Sequence, residues 1–149
     1  MRERFTADLK TAMKSGDKQR VETIRMITAG LKDRDIEARA SGKTLSDDDI
    51  LALLQKMAKS RQESLDIYEK AGRADLAEKE RAEIEVISSY LPQPLSEAEA
   101  AEAIKAAIAE TGAASIKDMG KVVAALKAKY TGRMDFGKAS AAVKASLAG

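Results

Sequence analysis

The sequence predicts an all-α protein, with an N-terminal helical bundle of long helices over residues 1–91 and a small C-terminal three-helix tail domain over residues 92–149. Three observations lead there. Apolar residues recur every three to four positions in nearly every segment, and nowhere alternate long enough to make a strand. Helix-start signatures, a serine followed three residues later by an acid, stand at Ser46, Ser96 and Ser115. The only two prolines, Pro92 and Pro94, fall together in "SYLPQPLSEAEA", where they bar helix continuation and keep the backbone extended.

Phe5, Leu9 and Met13 mark the inward side of a first helix, Arg2 to Ser15, which Gly16 stops. A long second helix, from Asp17 to about Ala40, turns Val21, Ile24, Ile27, Leu31 and Ile36 inward before "SGKT" breaks it. In the third, Ser46 accepts from the amide of Asp49, and Asp47, Asp48 and Asp49 sit at the positive helix end. Its stripe is Ile50, Leu53, Leu54, Met57, Arg61, Leu65 and Tyr68, ending at Gly72. The fourth, from about Arg73 to Tyr90, carries Leu76, Ile84 and Ile87.

Beyond the prolines, the Ser96–Glu99 pair opens a helix running to Thr111, with Ile104 and Ile108 inward and Gly112 as its stop. The Ser115–Asp118 pair opens another, Ile116 to Tyr130, with Gly132 as a left-handed stop. Asp135 caps the last, Phe136 to Leu147, which places Phe136, Ser140, Val143 and Leu147 on one side.

Composition excludes several kinds of chemistry. Of 149 residues, 44% are hydrophobic, enough for a core. With no cysteine and no histidine, the chain lacks a thiolate nucleophile, sulfur-ligated metal and the commonest general base. The five aromatics (Phe5, Tyr68, Tyr90, Tyr130 and Phe136) are too few for a base-stacking platform. No apolar run is long enough to span a bilayer, and "MRERFTADLK" lacks a signal-peptide core, so the expected location is the cytoplasm. Consecutive aspartates at positions 47–49 project about 100° apart on a helix and do not converge on one ion, so capping accounts for them. Ser88 and Ser89 lack the Gly/Ser-rich frame of a Ser–Ser–Lys amidase and read as a helix end. No G-x-x-x-x-G-K-[ST] phosphate loop is present. Neither a catalytic residue, a metal nor a cofactor is expected.

Charge is distributed unevenly. Residues 1–43 carry eleven Lys and Arg against seven acids, and residues 44–91 seven against eleven. Residues 92–111 carry one against four, and residues 112–149 seven against Asp118 and Asp135 alone. Both of those acids occupy helix starts, where they serve backbone amides. Seven cations are left for a polyanion such as the phosphates of a nucleic acid. On a helical wheel Met119, Val123, Leu126 and Tyr130 fall together, flanked by Ile116 and Val122. Lys117 and Lys121 lie opposite, above Ala124 and Ala128. Gly120 sits beside Lys117 and Lys127, and a glycine inside a helix marks close helix packing or close approach of a ligand.

The stretches "KDMGKVVAALKAKYTGRMD" and "SYLPQPLSEAE", with the N-terminal "TADLKTAMKSGDKQRVETIRMITAGLKDRDIE", resemble the GatB/YqeY family over essentially the whole chain. That resemblance implies an all-helical, two-part protein. Its tail domain is similar to the one by which the GatB component of the tRNA-dependent amidotransferase contacts tRNA. Lys117, Gly120, Lys121, Gly132 and Arg133 match the tail motif. With Lys127 they form the candidate nucleic-acid contact set. Met134 departs from the small residue expected there, which bears on the loop's shape. Nothing corresponds to the catalytic cradle of GatB. The resulting expectation is a non-catalytic accessory protein binding tRNA or another structured RNA. The alternatives are a tail-supplying partner of a carbon–nitrogen ligase that uses glutamine as amido donor, or a protein-interaction module.

Overall fold

The computed structural model describes residues 1–148. Among them lie seven α-helices and no strand: α1 (Arg2–Ser15), α2 (Lys18–Ala40), α3 (Asp47–Lys70), α4 (Ala74–Ser88), α5 (Glu97–Thr111), α6 (Met119–Tyr130) and α7 (Phe136–Ala148). A 3-10 turn, Ile116–Asp118, leads into α6. The all-α class is as the periodicity predicts. The chain divides into two compact units, Met1–Leu91 and Pro92–Gly149.

In the first unit α2 packs against α1, α3 and α4, while α3 and α4 form the most extensive helix pair. Its core is Phe5, Ile24, Ile27, Leu31, Ile50, Leu54, Val86, Ile87 and Tyr90. The α2–α3 connection is held by Gly42 in the left-handed region (φ 69°) and by the Lys43 amide donating to the Ala38 carbonyl at 2.7 Å. Ser46 and Asp49 then exchange side chain and backbone in a capping box, which contributes about 1 kcal/mol. Tyr90, 3% exposed, meets the Phe5 ring edge-on at 4.7 Å and donates to Asp8, so the end of α4 is tied to α1. Burial, with the bond to Asp8, pushes its phenol up to about 12.

Two predicted inward residues face out. Met13 is 55% exposed, because Ala12 takes the inward place one full repeat after Phe5. Ile36 is 54% exposed: it follows Leu31 by five residues, about 140° further round α2. Thr23, by contrast, is buried, its hydroxyl donating to the Gln19 carbonyl at 2.9 Å. Arg61 lies half-buried between α3 and α4, its Nε 3.3 Å from Glu83 Oε2. That contact is ionic rather than a directed hydrogen bond, and beside it the Oε2 of Glu80 is buried without a hydrogen-bond partner.

The second unit has its own core: Ala103, Ile104, Ala107, Val122, Leu126, Met134, Ala139 and Val143. A complete Ser96–Glu99 capping box starts α5, and Gly112 (φ 65°) ends it.

Candidate nucleic-acid interface

The geometry of the basic tail begins with how α6 is anchored. Val122 and Leu126 are 0% and 1% exposed, with Met119, Ala125 and Tyr130 packed around them. The buried wall is thus turned from the predicted one, with Val122 at its centre and Val123 half-buried at its edge. The cause lies upstream. Ile116 to Asp118 form a 3-10 turn rather than the first turn of α6, and a tighter turn shifts the phase of the helix after it. Ile116, placed on the apolar flank by a continuous helix, is accordingly 46% exposed.

Both acids of this region are committed to backbone. Asp118 accepts from the amides of Ala114 (3.0 Å) and Ser115 (3.4 Å), and those bonds, with Lys121 nearby, hold its carboxyl below the ordinary range. Asp135 accepts from the amides of Gly137 at 2.9 Å and Lys138 at 3.3 Å, capping α7.

The cations divide into two groups. Lys129 reaches Glu110 on α5 at 3.0 Å, so it is paired, contrary to the expectation that the tail cations lack local partners. The Lys127 ammonium lies 5.9 Å from the Phe136 ring centroid, a cation–π contact. Arg133 is half-buried and donates from Nε to the Gln93 carbonyl at 2.9 Å, while its own carbonyl accepts from the Leu95 amide at 2.9 Å. Its backbone and guanidinium therefore pin the proline-containing segment to the α6–α7 turn. Nothing in the spacing of Arg133 and Gln93, forty residues apart, signals that bond. Among the described residues Lys117, Lys121, Lys138 and Lys144 form no ion pair.

The two glycines of the set differ. Gly132 is buried with φ 82°, the left-handed stop that the sequence calls for. Met134, where the resemblance leads one to expect a small residue, is 6% exposed and part of the tail core. Gly120 is exposed, and a β-carbon built there meets nothing within 4 Å. Among the described residues no other helix packs on it, so the first of the two readings of this glycine is not met. Gly120, Ala124 and Ala128 recur every four residues along α6 and are exposed, which leaves a low strip, and Lys117 on the preceding 3-10 turn and Lys121 are exposed as well.

The profile of the family described as "Yqey-like protein" matches residues 2–147. Among curated relatives, the chain is 36% identical over 132 residues to "Altered inheritance of mitochondria protein 41, mitochondrial" of Pyrenophora tritici-repentis, covering 85% of this chain and 71% of that protein. Proteins of the same name match from Lachancea thermotolerans (40% over 86 residues, 58% of this chain and 45% of the relative) and Eremothecium gossypii (36% over 93 residues, 62% and 50%). The chain thus spans about half the length of those two relatives. These names overturn the cytoplasmic expectation: the relatives are named as mitochondrial proteins, and an N-terminal stretch without a signal-peptide core says nothing against an organelle.

Proposed function

The chain belongs to the YqeY-like family, and from that premise we propose that it is a non-catalytic accessory protein that binds structured RNA, tRNA being the leading candidate, through the basic face of its C-terminal unit. One observation carries the reading: Lys117 and Lys121 are exposed and form no ion pair among the described residues, next in sequence to the small exposed residues of α6, while the two acids of the segment are occupied by backbone amides. Phosphates need such cations and a surface low enough to reach them. Gly120 and Ala124 provide the low surface. Within the same reading Lys127 and Arg133 play smaller parts, since each already holds a partner, and Gly132 shapes the loop.

Filter binding of deacylated tRNA over a salt series tests this. The Lys117→Ala/Lys121→Ala double variant is expected to weaken binding and to flatten the salt dependence by roughly two phosphate contacts. Lys129→Ala, whose ammonium already faces Glu110, should change it less. Absence of binding at low salt, or binding indifferent to the double variant, would end the proposal.

A further inference from the structure

A groove of about 460 Å³ lies in the first unit, where the end of α2, the turn after it and the start of α3 meet. Three cations from three separate segments line it: Arg34 on α2, Lys43 on the turn and Lys56 on α3. Among the described residues none of the three forms an ion pair. Half-buried Leu45 and Leu53 give it an apolar floor. Asp49 also lines it, but its carboxylate is engaged by the Ser46 amide at 2.9 Å, which with the Ser46 hydroxyl holds it below the ordinary carboxylate range. Lys43 nearby lowers the Asp49 carboxyl further, and the second acid of the wall, Glu37, forms no ion pair among the described residues.

The walls are set before any ligand arrives. Lys43 follows a left-handed Gly42 and its backbone is held by the hydrogen bond its amide donates to the Ala38 carbonyl, and the far wall begins at a closed capping box. The tripeptide Gly42–Lys43–Thr44 is not a phosphate loop: Glu37 stands where the first glycine would be, and a helix rather than a strand precedes it. The recognition available is therefore side-chain recognition, in a cleft whose volume falls within the range of small-molecule sites.

The geometry points to a phosphorylated small ligand with a flat apolar body and a hydrogen-bond donor, the chemistry of a nucleoside monophosphate, either free or as the 5′ end of an RNA. Arg34, Lys43 and Lys56 take the phosphoryl oxygens, with Arg34 suited to two of them at once. Leu45 and Leu53 take the face of the body. Glu37 accepts from an amino or hydroxyl group. This site is independent of the tail surface.

The test is a titration of the isotope-labelled full chain, followed by amide chemical shifts. Probes are adenosine 5′-monophosphate, uridine 5′-monophosphate, adenosine, inorganic phosphate and a 5′-phosphorylated ribo-oligonucleotide. Saturable shifts of Ser41 to Leu45 and of Lys56 are expected with a monophosphate. Monophosphate affinity should fall about tenfold in Arg34→Ala and in Lys43→Gln, and stay unchanged in Lys144→Ala. Saturation of the same Ser41 to Leu45 and Lys56 amides by the oligonucleotide alone also supports the site and assigns its source to an RNA end. The proposal is overturned if neither probe class saturates, if adenosine or inorganic phosphate binds as well as the monophosphates, or if binding survives both groove variants.

Discussion

Gly120 would do better as alanine if α6 had only itself to serve. Gly120 is the second residue of α6, so it costs less than the roughly 0.5–1 kcal/mol of a helix-interior glycine against alanine, but among the described residues no neighbour stands within 4 Å of where the methyl group would go. Gly120→Ala should therefore raise the melting temperature while weakening tRNA binding, a split that a residue kept for folding would not give. Loss of stability, or binding equal to wild type, would show that the open strip has no role. Gly132→Ala makes the contrast. With φ at 82° in a buried turn, a β-carbon there costs about 1–2 kcal/mol, and melting should fall. Sequence distinguishes these glycines only in part. Gly132 is legible, because a glycine just past a helix's last apolar residue predicts a left-handed stop. Gly120 leaves two readings open, since what surrounds a mid-helix glycine depends on neighbours from other segments.

Helix existence follows from apolar period and caps, while the phase of a face depends on events one turn earlier. The stripe of α6 illustrates this: the 3-10 turn at Ile116–Asp118 shifts the wall to Val122 and puts Ile116 outside. The α3–α4 pair shows a second limit. Periodicity places Arg61 in the apolar stripe, and the structure does seat it there, but only beside Glu83, which no local pattern pairs with it. Glu80 shares that seam. Burial, and then the charge of Glu83, raise its carboxyl above the ordinary glutamate value, against a smaller opposing pull from Arg61. The sign follows from proton linkage. A carboxyl raised in the folded state binds its proton more tightly there, so ionising it lowers stability as pH climbs from the ordinary glutamate value through the raised one. Glu80→Gln should accordingly raise the urea midpoint at pH 7, with the gain fading as pH drops toward the ordinary glutamate range. An unchanged midpoint at pH 7 would mean that Arg61 fully compensates the buried charge.

At the scale of the whole molecule, the two units have separate cores with no residue in common. The second is the smaller, and a domain of that size buries too little surface to absorb a large cavity. Leu126 is 1% exposed at its centre, and trimming such a leucine to alanine costs about 2–5 kcal/mol. That loss is comparable to all the stability so small a core supplies. Leu126→Ala should therefore abolish amide protection in α5, α6 and α7 and remove tRNA binding, even though every cation remains in the chain. Protection in α2 and α3 should persist, since the Ile24, Ile27, Ile50 and Leu54 cluster is untouched. Nucleotide shifts at the α2–α3 groove should persist with it. Hydrogen exchange and the two binding assays on one variant thus ask whether RNA affinity belongs to a folded tail surface or merely to its positive charge. Binding that survives the loss of tail protection would mean that net charge suffices and that the strip beside Gly120 is not a site.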